Sequence, residues 1–243
     1  MHSKQSPPHN ECKNTLDDIA TYLTANNADV VSLNEVAFNR SGYVDSNRHP
    51  EDQPAVLEQM LETKTGQCWE RVYSDENAGT TGDHGILLLW RSSDDVSCGQ
   101  PGRFRKQGVA FRMPLQQATD GVRSVAGVTL IINNHPVTFF TTHLCAPPNA
   151  DPFCVPSERQ NQVNSLKTAL ANFAAPRVVA GDFNAHPDDS EIIGPTGMTT
   201  DYIDLWPVAV NARTAHRPTY RHTHTKVHGD RIISSARRTH RTR

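Results

Sequence analysis

Three short polar motifs in this 243-residue chain hold the residue types that handle phosphate. Asn34-Glu35 follows the apolar run Val30-Val31-Ser32-Leu33, Thr141-Thr142-His143 follows Val137 to Phe140, and Gly181-Asp182-Phe183-Asn184 follows Val178-Val179-Ala180. Glu35 and Asp182 offer carboxylates and Asn34 and Asn184 carboxamide oxygens, hard donors that suit Mg²⁺, Mn²⁺ or Ca²⁺. His143 can pass a proton or contact a phosphoryl group in transfer. Each motif alone has a plainer reading. A Glu after a strand is ordinarily a surface residue, and an Asp-Phe-Asn segment can be no more than a turn. The third motif is the most specific, because its glycine frees the backbone and its Asp and Asn, two apart, share one face at a strand's end.

Each motif needs a buried strand to carry it. Open α/β folds gather ligands at strand ends, where side chains converge. Strands are expected over 29–33, 69–73, 85–91, 107–112, 122–132, 136–142 and 177–181, with a last one at Ile232-Ile233. Close spacing and turn residues between the middle strands argue for antiparallel pairing. A first helix is expected with Asn14 as its cap and Asp17 three residues on. Leu16, Ile19, Ala20 and Leu23 form its apolar face, and Asn26-Asn27 ends it in a left-handed turn. Two more helices are expected near 53–62, with Val56, Leu57, Met60 and Leu61 inward, and near 158–173. The alternation indicates α/β or α+β.

The order Asn34-Glu35, Thr142-His143-Leu144, Gly181-Asp182-Phe183-Asn184 resembles the endonuclease/exonuclease/phosphatase superfamily. The closing Asp230-Arg231-Ile232 is similar to its deoxyribonuclease I and cytolethal distending toxin branch, and Pro218-Thr219-Tyr220 also fits. The likeness runs from about Leu16 to Ile233. It implies a single α+β domain over 1–243, a four-layer α/β sandwich of two packed mixed β-sheets flanked by helices. It implies a metal-dependent phosphodiester hydrolase using Mg²⁺, Mn²⁺ or Ca²⁺. Glu35 would ligate the metal, and Asn34 stands where the family often has Gln. Asp182 would orient the attacking water or assist the metal, His143 would contact the scissile phosphate, and Asn184 would bind phosphate. Asp230 would orient a second active-site His, and Asp204 would be a structural turn residue. Arg105 or Lys106 stands where the deoxyribonuclease branch often has a phosphate-contacting Arg. Asp83, before His84, stands where that branch places an acid supporting the first His. The family's opening strand, ending in Asn, and its closing Ser-Asp-His segment have no counterpart in the sequence, so the implied domain lacks its first and last core strands. His240, in a charged stretch without strand pattern, does not replace the missing His.

Composition bounds the rest. Hydrophobic content of 36% and charged content of 21% are ordinary for a globular chain. No run approaches the ~18 apolar residues of a membrane span, and residues 1–8 lack the apolar core of a secretory signal. Net charge is -2, but residues 211–243 hold nine Lys/Arg against one acid, a net of +8, leaving 15 against 25 elsewhere, a net of -10. A basic end can bind phosphate backbones or simply be solvated. Cys145 and Cys154 bracket a Pro-rich loop and can form a disulfide, which points to an oxidising compartment and hence to secretion. Cys68 and Cys98 can form a second bridge, leaving Cys12, and no Cys-x-x-Cys favours zinc. Three functions stay open: a nuclease on DNA or RNA, a phosphodiesterase on a lipid or small phosphoester, and a non-catalytic or inactive relative. No motif indicates a protein partner.

Overall fold

The structure, a computed structural model, describes residues 10–38, 52–76, 84–95, 97–115, 123–146, 154–186, 188–205 and 230–235. Its first half builds a small sheet. Helix α1 (Asn10–Ala25) leads to strand β1 (Val30–Ala37), and helix α2 (Gln53–Thr65) leads to β2 (Trp69–Asp75) and β3 (His84–Arg91). The strands pair antiparallel in the order β1-β3-β2. Helix α2 is well delimited: the Asp52 side chain accepts from Ala55 N–H at 3.1 Å, and Gly66 at φ 65° closes it in a left-handed turn. Both helices cover the outer face of this sheet, where Ala20, Leu57 and Leu61 meet Val31, Leu87 and Leu89.

The second sheet holds β4 (Arg105–Lys106), β5 (Phe111–Pro114), β6 (Ser124–Ile132), β7 (His135–His143), β8 (Arg177–Asp182), β9 (Ile203–Asp204) and β10 (Asp230–Ser235). Its order is β4-β6-β7-β8-β10-β9, with β5 also paired to β6. Strands β6 and β7 form a hairpin through Asn133 and Asn134, both at positive φ (50° and 66°), as a two-residue hairpin turn requires. Strands β7 and β8 are parallel and so need a crossover, which helix α3 (Pro156–Ala171) supplies. Val163, Leu166 and Leu170 of α3 pack on Val125, Phe140, Val179 and Phe183, joined by Ile192 of the short helix α4 (Ser190–Ile193). Below this helix, Arg177 donates to the Leu170 carbonyl at 2.7 Å and lies 5.5 Å over the Tyr202 ring. Burial raises the Tyr202 phenol above its ordinary pKa, against the opposing charge of Arg177.

The two sheets face each other through Leu88 and Trp90 of β3 and Val128 and Leu130 of β6. Strand β3 is therefore buried on both sides, which explains its unbroken apolar run. A hydrogen bond between Ser32 Oγ and Thr141 Oγ1, at 2.7 Å, ties β1 to β7 across the gap. The layers run helix, sheet, sheet, helix, the α+β sandwich that the sequence implied.

Several local expectations change. Only the larger sheet is mixed; the smaller is antiparallel throughout its described strands. Helix α1 starts before Asn14, which is therefore inside the helix and not its cap, whereas Asn27 at φ 51° does close it. Of the strand expected over 107–112 only 111–112 is strand, within β5, and Gly108 at φ 78° breaks the chain between β4 and β5. Asp83, Pro218-Thr219-Tyr220, His240 and most of the basic segment 211–243 lie outside the described residues.

Both expected disulfides are present: Cys68–Cys98, with Cα atoms 5.3 Å apart, and Cys145–Cys154, with Cα atoms 5.8 Å apart. Cys145–Cys154 closes a loop with a sequence separation of 9. Restricting the unfolded chain by so short a loop stabilises the fold by about 2.5 kcal/mol. A Cys145→Ser/Cys154→Ser variant is expected to lose that amount in urea unfolding.

Candidate active site

Asp182 is the centre of the cluster. It ends β8, and in the sheet its Cα is in register with His143 at the end of β7 on one side and with Asp230 at the start of β10 on the other. Parallel and antiparallel neighbours thus bring three of the expected residues to one sheet end. The facing sheet adds a fourth. With its carboxamide oriented to suit its neighbours, Asn34 accepts a hydrogen bond from the Asp182 backbone N–H and donates to the Leu33 carbonyl at 3.2 Å. This bond fixes the end of β1 against the end of β8.

Asn34 and Glu35 do not follow their strand, as expected, but lie within it. The pairing of β1 with β3 slips between Leu33 and Val36, and Glu35 at φ 57° occupies the bulge. A bulge re-aims side chains, and here it leaves Glu35 exposed at the rim while Val36 returns to the core. Gly181 has a different task. At φ 145°, it lies so close to β7 that a methyl group built on it would overlap the Thr142 carbonyl oxygen. After Asp182 the chain turns sharply. Asn184, at φ 47°, donates its backbone N–H to Asp182 Oδ1 at 2.8 Å and its side-chain Nδ2 to the Leu144 carbonyl at 2.8 Å. Leu144 N–H in turn donates to the Asp182 carbonyl at 2.9 Å. The ends of β7 and β8 are therefore laced together.

His143 is 4% exposed and has a partner that the sequence did not reveal. Its Nδ1 lies 2.7 Å from Oε2 of Glu76, itself 1% exposed, which follows the last residue of β2. Nη1 of Arg123, just before β6, lies 3.2 Å from the same oxygen and 2.9 Å from His143 Nδ1. Arg123 cannot accept a hydrogen bond, and the carboxylate is the stronger acceptor. The consistent assignment has both Nδ1–H and the guanidinium donating to Glu76 Oε2. His143 then turns Nε2 away from Glu76. The second carboxylate oxygen of Glu76, Oε1, is buried and has no hydrogen-bond partner among the described residues.

The other expected residues are elsewhere. Arg105 and Lys106 form β4, in register with Ile131 and Leu130, whereas the site lies at the Ser124 end of β6. Six residues of strand, roughly 20 Å, separate the two. Lys106 is occupied with Glu70, and its backbone N–H donates to Asp94 Oδ2 at 2.7 Å. The cation beside His143 is Arg123 instead, and the acid beside it is Glu76. Asp204 pairs with Ile233 in the β9–β10 ladder, a structural position. Glu76 had no local signal in the sequence: it stands just past the last residue of β2, and its partner His143 is far along the chain.

The donors fit a hard divalent cation held sparsely. Asp182 and Asn184 bring a carboxylate and a carboxamide to the end of β8, and Asn34 and Glu35 offer a carboxamide and a carboxylate from the bulge of the facing strand β1. Among the described residues, no three carboxylate, imidazole or thiol donors of this site lie within 4.8 Å of one another. Mg²⁺ accepts this, being held ordinarily by one or two carboxylates with water completing its shell. The tight group that does occur, Cys68, Asp95 and Cys98, has both thiols in a disulfide and offers no thiolate.

The family model described as "Endonuclease/Exonuclease/phosphatase family" matches residues 4–232. The chain belongs to that family. Enzymes of the endonuclease/exonuclease/phosphatase family are hydrolytic, phosphodiesterases and nucleases, and generally use divalent metal ions. No curated protein sequence matches this chain. Solved structures do. An endonuclease/exonuclease/phosphatase family protein from Leptotrichia buccalis is 14% identical, with a TM-score of 0.64 over 96% of this chain and 84% of that one. D. rerio TDP2 complexed with a single-strand DNA product is 16% identical, with a TM-score of 0.59 over 93% and 78%. The human Nocturnin catalytic domain with bound sulfate is 18% identical, with a TM-score of 0.57 over 91% and 74%. At these identities the likeness is one of fold.

Proposed function

We propose that this chain is a divalent-metal-dependent endonuclease, hydrolysing phosphodiesters of DNA or RNA by in-line attack of water. The observation that carries the reading is the meeting of His143, Asp182 and Asp230 at one sheet end, with Asn34 of the facing sheet bonded to Asp182. The complex of D. rerio TDP2 with single-strand DNA supports a nucleic-acid substrate, as do Arg123 at the site and the basic composition of 211–243.

Glu35 and Asp182 would hold Mg²⁺, with Mn²⁺ or Ca²⁺ as substitutes. When bound, the ion neutralises charge that builds on the non-bridging oxygens. Asp182 Oδ1 already accepts from Asn184 N–H, so Oδ2 is the oxygen that orients the water and takes its proton. As the new P–O bond forms, the bond to the leaving oxygen breaks opposite it. His143, held through Nδ1 by Glu76, meets the phosphoryl group with Nε2, and Asn184 steadies a phosphoryl oxygen. The Asp230 backbone stands beside Asp182 in the sheet, and water would give the leaving oxygen its proton. Arg123 sets a fixed positive charge against the polyanion, so binding weakens as salt rises. Two disulfides also suit work in an oxidising, secretory compartment.

Supercoiled plasmid tests the reading. Nicking in Mg²⁺ that EDTA abolishes is the expected result. Cleavage of a phospholipid headgroup ester with the plasmid left intact would move the substrate to lipids. A folded protein inert towards plasmid, single-stranded RNA and phospholipid alike, or active in EDTA, would overturn the proposal.

A further inference from the structure

The Leu144–Cys145 peptide unit, immediately after His143, is gripped from both sides. Its carbonyl accepts from Asn184 Nδ2 at 2.8 Å, and its N–H donates to Gln162 Oε1 at 2.9 Å. Gln162 belongs to α3 and is 2% exposed. The same peptide is tethered covalently, because Cys145 is bonded to Cys154, two residues before α3 begins. A peptide group transmits orientation directly: turning its N–H turns its C=O with it. The direction of the Leu144 carbonyl decides where Asn184 points its carboxamide, since only the nitrogen can face a carbonyl. The Asn184 backbone is held separately, at φ 47° with its N–H donating to Asp182 Oδ1 at 2.8 Å, so the Leu144 carbonyl acts on its carboxamide.

We infer that Gln162 is a positioning residue: through the Leu144–Cys145 peptide it sets the orientation of the Asn184 carboxamide, and the Cys145–Cys154 bridge keeps that peptide within its reach. The inference rests on the proposed hydrolase only for the role of Asn184, since the clamp itself is a matter of geometry. Gln162 would touch neither substrate nor metal. Its nearest influence is on the atom that steadies the phosphoryl group, where a misplacement of about 1 Å can cost on the order of 10²-fold in rate.

The test compares Gln162→Met, which keeps the length and removes the acceptor, with Gln162→Glu, which keeps an oxygen for the Cys145 N–H. Two readouts are used. One is NMR of the Asn184 side-chain NH₂ and the Cys145 amide in protein without metal. The other is hydrolysis of the p-nitrophenyl ester of thymidine 5′-phosphate in Mg²⁺. Gln162→Met is expected to move both amide signals and to lower kcat by about 10- to 100-fold, with KM within threefold. Gln162→Glu is expected to restore most of both. An Asn184 NH₂ signal that stays in place while Cys145 alone shifts overturns the inference, as does a kcat within twofold of the parent. Should Gln162→Met not fold, hydrogen exchange in the unaltered protein decides: a Cys145 amide that exchanges as fast as a surface loop is not clamped. If the parent protein hydrolyses nothing, the proposed function fails while the NMR readout still judges the clamp.

Discussion

Replacing Glu76 with Ala is expected to lower phosphodiester hydrolysis by about 10²- to 10⁴-fold and to destabilise the fold by about 3–5 kcal/mol. Both effects have one cause. Glu76 Oε2 is the shared acceptor for His143 Nδ1 at 2.7 Å and Arg123 Nη1 at 3.2 Å, in surroundings that leave Glu76 1% exposed and His143 4% exposed. Taking away the carboxylate removes the acceptor that the guanidinium and the imidazole share, and the ring loses the bond that fixes which nitrogen faces the substrate. Glu76→Gln separates the two losses. Oε1 has no partner among the described residues, so the new amide can keep its oxygen towards His143 and Arg123 and place its NH₂ where Oε1 stood. The geometry survives and the charge does not. The Gln variant is expected to keep most of the stability while still losing rate, read by urea unfolding and by single-turnover hydrolysis at saturating Mg²⁺. A Glu76→Ala enzyme within threefold of the parent rate would show that His143 does not depend on Glu76.

Gly181→Ala is expected to destabilise by about 5 kcal/mol, the upper range for one substitution. The added methyl would overlap the Thr142 carbonyl oxygen and stand 2.9 Å from its carbon and 3.0 Å from the Thr142 nitrogen. These are backbone atoms held in the β7–β8 ladder, so they cannot swing aside as a side chain would. The φ of 145° adds strain of its own for any residue with a Cβ. The only relief is to part the two strands at the register positions that pair His143 with Asp182. Surviving folded protein should therefore also lose activity. Differential scanning calorimetry measures the first effect, and a fall in melting temperature under 5 °C would show that the strands part easily.

Legibility followed distance along the chain. Gly181-Asp182-Phe183-Asn184 announces itself because its four roles depend on neighbours: a close approach, a strand end, a buried Phe183 and a turn. The buried strands 29–33 and 177–181, the apolar faces of α1 and α2, and both disulfide pairings were legible for the same reason, as local spacing and period decide them. Glu76 was not. It pairs with His143 at a separation of 67 residues, and no local pattern distinguishes it from Asp75 before it. Asp83, to which the resemblance pointed, lies outside the described residues. Arg105 and Lys106 misled because position along the chain says nothing of which end of β6 a paired strand occupies; antiparallel pairing put them beside Leu130 and Ile131, and Arg123 at the other end. The bulge at Glu35 was equally hidden, since nothing in Asn34-Glu35-Val36 requires a left-handed residue.

Two residues of the site, Glu35 and Asn184, hold positive φ without being glycine. Such a conformation costs an ordinary residue on the order of 1–2 kcal/mol, and glycine would adopt it freely. Evolution towards robustness therefore pulls against chemistry at Glu35, whereas Asn184 tolerates the left-handed region well and also bonds the Leu144 carbonyl. A population selected only for survival on heating should accumulate Glu35→Gly as a gain, and lose a carboxylate with it. Retention of Glu there under such selection would mean that its side chain repays the fold in some way other than through the site.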